Sequence, residues 1–162
     1  MVDVQEKVFL YDKHMPETDD VTLIVLKGHL LVENILFVLT ESAFAHPQYL
    51  DSVRLSFHQL ANIVRAAVPQ RSDDPAWQLI FKLNSLRNDL AHKLESDTRQ
   101  SRITELINLD LQVQPTPGMT YDKSGDSSLS EAERLRQTIV DCMEFLLSLS
   151  FDYDRMKESS SD

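Results

Sequence analysis

The sequence predicts an all-α protein, built as an up-down bundle of four long helices and one shorter helix. Three observations support this fold class. The 162 residues suit a single domain, and hydrophobic residues make up 42% of them, enough for a buried core. Only 3 glycines and 6 prolines occur, so tight turns are few. Apolar residues recur every three or four positions, as they do along one face of a helix. We therefore treat residues 1–162 as one helical domain.

The first two long helices are predicted from caps and apolar spacing. Asp19 and Asp20 are N-cap candidates for a helix that reaches about residue 45. Pro47 suits the first turn of a second helix, predicted over about 48–68, because its missing N–H costs nothing at that position. The residues expected to face inward in this second helix are Val53, Phe57, Leu60, Ile63 or Val64, and Ala67.

The third helix is predicted from Pro75 to about Glu95, and a shorter fourth helix follows it. Ser96 and Asp97 are possible caps for the fourth helix. The expected apolar stripe of the third helix is Trp77, Ile80, Leu83, Leu86 and Leu90. In the fourth helix, Ile103, Leu106 and Ile107 are expected to face inward.

Loop residues then separate the fourth helix from the last one. Residues 112–128 contain two prolines and two of the three glycines, which predicts an exposed loop. Ser130 and Glu133 form a capping-box pattern that opens the last helix. Its expected packing seam is Leu135, Ile139, Cys142, Leu146 and Leu149. Residues 157–162 are polar and are expected to fray, and only residues 8–11 leave room for a short strand.

Composition and missing motifs exclude several classes of function. A net charge of −10 argues against a domain that wraps nucleic acid through many phosphate contacts, so any RNA contact is expected to be local or concentrated by an oligomer. The single cysteine, Cys142, excludes an intramolecular disulfide and a CxxC zinc site. P-loop, GxGxxG, GxSxG and HExxH patterns are absent, which sets aside the enzymes that depend on them.

The localisation is predicted from the same composition. The N-terminus lacks a basic region followed by an apolar one, as a secretory signal would have. The longest apolar stretch, Val21 to Leu39, is interrupted by Lys27, His29, Glu33 and Asn34 and is interpreted as too polar for a membrane span. We expect a cytoplasmic protein with no cofactor, no bound metal and no membrane association.

One group of residues on the third helix has chemical potential. Asn88 and His92 lie one turn apart and share a face, and Arg87 flanks that face at about 100°. Histidine titrates near neutral pH and can act as a base or an acid. Arginine stays charged and binds phosphate oxygens in a bidentate manner. Arg87, Asn88 and His92 are therefore the candidate catalytic residues.

Residues 87–92, Arg-Asn-Asp-Leu-Ala-His, resemble the R-x4–6-H signature of the HEPN superfamily, a family of small helical bundles. The pattern Arg-Asn-x-x-Ala-His is also similar to that of mannitol operon repressor relatives, which share this fold. The resemblance implies metal-independent RNA cleavage by a homodimer, in which two signatures face each other. Many such proteins are toxins or RNA-processing nucleases, so a cognate nucleotidyltransferase antitoxin or another regulatory protein becomes an expected partner.

Three more residues are assigned to substrate binding, and two alternatives stay open. Lys93 is expected to contact phosphate, and His29 and Glu33 are polar residues in an apolar run that are expected to face the same cleft. One alternative is a non-catalytic regulatory or protein-interaction module, which the acidic charge favours. The other is purely structural, since an arginine and a histidine in the last turns of a helix stabilise the negative end of its dipole.

Overall fold

The computed structural model describes the backbone of residues 4–92, 98–114 and 128–159, and the side chains of 9–91, 98–114 and 128–150. Within these ranges the chain is all-α, with six helices, two 3₁₀ turns and no strand. The helices are α1 (Val4–His14), α2 (Val21–Ser42), α3 (Phe57–Ala67), α4 (Ala76–His92), α5 (Arg99–Gln112) and α6 (Glu131–Ser159). The 3₁₀ turns are Pro47–Leu50 and Pro69–Arg71.

Helix α2 is the central element of the fold. It packs against α1, α3, α4 and α6, most extensively against α6, while α5 lies against α4 and α6. The predicted cap at Asp20 is confirmed, because its Oδ1 accepts the backbone N–H groups of Thr22 and Leu23 at 2.9 and 3.2 Å. Its buried residues are Ile24, Val25, Gly28, His29, Leu31, Val32, Ile35, Leu36, Leu39 and Thr40.

The backbone of α2 approaches the side chains of α6 closely at Gly28. A Cβ atom placed on Gly28 would lie 2.7 Å from Cγ1 and 3.0 Å from Cγ2 of Ile139. Ile139 belongs to the predicted seam of α6, and this prediction is confirmed. All five seam residues are 0% exposed: Leu135, Ile139, Cys142, Leu146 and Leu149. A residue without a side chain is therefore required at position 28 for this distance between the two helices.

The N-terminal region and the second predicted helix differ from expectation. Residues 8–11, where a strand was considered, belong to α1. The helix predicted over 48–68 is instead a 3₁₀ turn followed by α3, and Val53 is 47% exposed. The reason is a capping box that starts α3 late. The Ser56 N–H donates to Gln59 Oε1 at 2.8 Å, and the Gln59 N–H donates to Ser56 Oγ at 3.3 Å.

Helix α4 follows its prediction as far as it is described. Asp74 Oδ1 accepts the Ala76 N–H at 3.0 Å at its start. The predicted stripe is partly buried at Leu90 and buried at its four other positions, which are Trp77, Ile80, Leu83 and Leu86. The predicted continuation to Glu95 and the caps Ser96 and Asp97 lie outside the described residues.

The C-terminal part of the chain agrees with the capping prediction. The Ser130 N–H donates to Glu133 Oε2 at 2.7 Å, and the Glu133 N–H donates to Ser130 Oγ at 3.3 Å. Residue 112 of the predicted loop is still helical, and residues 115–127 lie outside the described part. Residues 157–159, expected to fray, are the end of α6, and residues 160–162 are not described.

By length and composition, α2 meets the requirement for a helix that crosses a membrane. The prediction that α2 is too polar to span a membrane is therefore wrong with respect to its composition. The core helix of a soluble protein meets the same requirement. In this protein, 44% of its apolar 18-residue window is buried against the other helices.

The Gly28 contact predicts that Gly28→Ala destabilises the protein. Alanine is the better helix former by about 1 kcal/mol. However, the added methyl group must displace a fully buried Ile139 side chain, and overpacking of this kind costs about 1–3 kcal/mol. We expect urea unfolding to show a lower free energy of unfolding for Gly28→Ala than for the wild type. The loss should be smaller in the background of Ile139→Val, which removes the outermost clashing methyl group. A Gly28→Ala variant as stable as the wild type would contradict this packing.

Candidate functional site

Helix α4 places Asn84, Asn88 and His92 in one line, because each is one turn from the next. Arg87 flanks this line, and its Nη1 donates to Asn88 Oδ1 at 3.1 Å. Arg87 is half-buried and Asn88 is exposed. The structure therefore brings two of the three predicted catalytic residues together. His92 is the last residue of α4, but its side chain lies outside the described part, as does all of Lys93.

Helix α2 contributes His29 and Glu33 beside this line. His29 is 3% exposed, and its Nε2 lies 3.0 Å from Asn84 Oδ1. The imidazole stacks on Phe57 of α3, with ring centroids 4.4 Å apart. Glu33 is half-buried, and its Oε2 lies 4.0 Å from His29 Nδ1. We call His29, Glu33, Asn84, Arg87 and Asn88 the α2–α4 cluster.

Burial decides the charge state of His29. Burial lowers the pKa of the His29 imidazole below its usual value, and the nearby positive charge of Arg87 lowers it further. The hydrogen bond with Asn84 and the carboxylate of Glu33 raise the pKa but are outweighed. The imidazole is therefore neutral at pH 7. At 3% exposure, the ring has little surface for the direct substrate contact that the sequence predicts for His29.

The neutral ring has a defined arrangement of donor and acceptor. Asn84 Oδ1 can only accept, so its 3.0 Å contact with Nε2 is a hydrogen bond in the tautomer that carries the proton on Nε2. Nδ1 is then an acceptor, and it has no hydrogen-bond partner among the described residues. It faces another acceptor, the Glu33 carboxylate, at 4.0 Å. Asn84 is thus the hydrogen-bond partner that makes the burial of this ring tolerable.

The opposite polar side of α4 is used for packing on α5. Lys82 forms an ion pair with Glu105, and Arg102 of α5 forms one with Asp89. These cations are compensated by carboxylates, and Lys82 and Glu105 also line an open groove between the two helices. Arg87 differs from them because its described contact is a neutral amide. Within the described part of the chain, no carboxylate is recorded in an ion pair with Arg87.

A scan against protein-family models, a search of curated proteins and a search of solved structures found no match to this chain. Among the side chains searched within the described ranges, no group of three or more His, Cys, Asp or Glu residues comes together as a metal site would.

Two residues of this arrangement, Asn84 and Phe57, were not predicted as site residues from the sequence. Asn84 carried a usable signal, since it precedes Asn88 by the same four residues that separate Asn88 from His92. Phe57 carried none, because it reaches His29 only through the packing of α3 on α2.

The neutral state of His29 predicts how stability depends on pH. Because its pKa is lower in the folded state than in the unfolded state, the unfolded chain binds this proton first as the pH falls. The contribution of His29 is complete above about pH 6.5, the usual histidine pKa, and is lost below it. We expect the stability of the wild type to fall towards that of His29→Gln between pH 7.5 and pH 5.5.

Urea unfolding at several pH values measures this difference. His58→Gln is the matched control, because His58 is an exposed histidine on the neighbouring helix α3. The difference in unfolding free energy between the wild type and His29→Gln could instead stay constant over this range. That result would show that His29 does not titrate as its burial requires.

Proposed function

We propose that the chain is a HEPN-type endoribonuclease that cleaves RNA without a metal ion and acts as a homodimer in the cytoplasm. The up-down order of helices typical of that fold is part of the proposal. One observation carries it. The Arg87 guanidinium contacts Asn88 on a helix face that ends at His92, so a phosphate-binding cation and a proton-transfer group lie within about one turn.

The proposed reaction transfers two protons. A base takes the proton of the ribose 2′-OH, the 2′-oxygen attacks phosphorus, and the P–O5′ bond breaks as an acid protonates the leaving 5′-oxygen. The products carry a 2′,3′-cyclic phosphate and a 5′-OH. Neutral His92 is assigned as the base. Arg87 binds the non-bridging oxygens, on which negative charge increases in the transition state.

The second proton transfer requires a second histidine, which a second copy of the chain would supply. Helix α2 offers a surface for that copy. Leu23 and Leu30 are 38% and 54% exposed, and Leu26 and Phe37 on the same side are half-buried. At about 100° per residue, Glu33 lies about 60° around α2 from Leu30. This apolar stripe therefore borders the α2–α4 cluster.

An antiparallel pairing of two α2 stripes fits the charges. Lys27 precedes Asn34 by seven residues and Glu41 follows it by seven. A twofold axis at Asn34, perpendicular to α2, would therefore place each Lys27 opposite the Glu41 of the other copy. Such an axis keeps both clusters on the same side of the pair, with the two α2 axes about 8–10 Å apart. The two sites would then open onto one shared surface.

A second function has one observation in its favour. The net charge of −10 suits a surface that binds a basic protein better than one that binds RNA. The chain would then be a non-catalytic regulatory module. In that case the α2–α4 cluster would be a structural hydrogen-bond network, and no RNA would be cleaved.

Metal-free cleavage separates these functions. With EDTA present, we expect the wild type to cut a mixed RNA pool and leave 2′,3′-cyclic phosphate ends. His92→Ala should cut it about 10²–10⁴-fold more slowly, the contribution of a positioned acid or base. Arg87→Ala should lose activity similarly, whereas Arg87→Lys should retain part of it because the charge remains. His14→Ala, at an exposed histidine of α1, is the control. Equal activity in wild type and His92→Ala would contradict the assignment.

The dimer surface is tested by Leu30→Glu. Since Leu30 is 54% exposed, the substitution should leave the monomer folded but place a charge in the centre of the proposed interface. In analytical ultracentrifugation, we expect the molecular mass to fall from that of two chains to that of one chain. RNA cleavage should be lost at the same time. Val53→Glu, at another exposed apolar residue outside α2, should change neither. A Leu30→Glu variant that remains a dimer would place the interface elsewhere.

A further inference from the structure

We infer that Asn84 is an additional substrate-binding residue of this site, and that the buried His29 fixes the direction in which its amide donates. The ligand would be a phosphate oxygen of an RNA backbone. The inference rests on the proposed function, but it concerns residues that the HEPN-like signature does not include. Its basis is the hydrogen bond between His29 Nε2 and Asn84 Oδ1 at 3.0 Å.

The first step is the direction of the Asn84 amide. A carboxamide carries its oxygen and its NH2 group on different sides of the same carbon. Because Oδ1 is directed at His29 inside the protein, Nδ2 is directed away from α2. Asn84 is half-buried, so part of its side chain reaches solvent, and its Nδ2 is not among the buried polar atoms of the described residues that have no hydrogen-bond partner. Two N–H donors of Nδ2 are then presented on the same face of α4 as Asn88 and His92.

The second step is the rigidity of the ring that sets this direction. His29 is 3% exposed, stacks on Phe57 and lies on the central helix α2, so its position is fixed from two helices. As a neutral ring protonated at Nε2, it donates to an oxygen at that position. With the proton on Nε2, a flipped Asn84 would set two donors against each other, so the tautomer of the ring and the direction of the amide determine each other. His29 therefore acts through Asn84, as a positioning residue.

The third step is the chemistry of the resulting surface. Arg87 supplies a positive charge, and Asn84 supplies neutral donors one turn earlier on the helix. A phosphodiester group presents two non-bridging oxygens that accept hydrogen bonds. Charged and neutral donors together fit such a group, and neutral donors add affinity without further increasing the positive charge.

Binding of an uncleavable RNA tests the inference. The probe is a fluorescein-labelled, mixed-sequence 2′-O-methyl RNA, and anisotropy is measured in EDTA at low salt. Asn84→Ala should weaken binding about 10-fold or more, as expected for a lost hydrogen bond to a charged group. Asn84→Asp should weaken it further, because it keeps the shape, removes the donors and adds a negative charge. Thermal unfolding checks that each variant is folded.

Variants of His29 test the positioning role. His29→Gln places an amide N–H near the position of Nε2 and should bind the probe within about 3-fold of wild type. His29→Leu cannot donate and should weaken binding as Asn84→Ala does. The double variant His29→Leu/Asn84→Ala should bind no more weakly than Asn84→Ala alone, because both changes remove the same contact. Independent, multiplying losses would overturn the positioning role.

The controls separate failure of this inference from failure of the proposed function. If Arg87→Ala abolishes binding while both Asn84 variants bind as wild type does, this inference is wrong and the proposed function stands. If the wild type neither binds the probe nor cleaves RNA, both are wrong. If His29→Leu does not fold, the comparison of Asn84→Ala and Asn84→Asp with the wild type still decides whether Asn84 binds substrate.

Discussion

The burial of α2 is the constraint on which the rest of the structure depends. This helix packs against four others, and its apolar residues fill the centre of the core. At Gly28 the backbone of α2 lies close enough to Ile139 of α6 that no side chain fits between them. The next residue, His29, is an ionisable ring in the same buried environment. The position of α6 and the state of His29 are therefore set by consecutive residues of one helix.

A buried imidazole is costly unless it is neutral and its donor is satisfied. His29 meets both conditions, because burial lowers its pKa and Asn84 accepts its Nε2–H. The same hydrogen bond joins α2 to the polar line of α4. An apolar residue would fill this space without that requirement. The presence of histidine is consistent with a role in orienting Asn84 next to Arg87, and this links the core of the protein to its candidate site.

Most of the fold could be predicted from the sequence because its strongest signals are local. The Asp20 cap, the Ser130–Glu133 capping box and the seam from Leu135 to Leu149 depend only on nearby residues or on helical spacing. The second helix was predicted too long because Val53 has the right spacing, while the capping box at Ser56 was overlooked. A strand was considered at residues 8–11 because this short run is too brief to show a helical period.

The candidate site could be predicted only in part, for a related reason. The Arg87–Asn88 pair and the position of His92 follow from spacing along α4. The contact of His29 with Asn84 joins residues 55 positions apart, and its stacking on Phe57 depends on how α3 packs on α2. Spacing placed His29 on α2 near Glu33, but it could not show that the ring is buried. Because the ring is buried, the role proposed for His29 is to orient Asn84.

The state of the His29 ring is the most direct test of this account. Long-range ¹H–¹⁵N NMR spectra of the imidazole, assigned by comparison with His29→Gln, distinguish the two neutral tautomers and the charged ring. The account predicts a neutral ring protonated at Nε2 at pH 7, and one that is still mostly neutral at pH 6.5. A ring protonated at Nδ1, or a charged ring at pH 7, would contradict the hydrogen bond to Asn84 Oδ1 and the orientation of the site that depends on it.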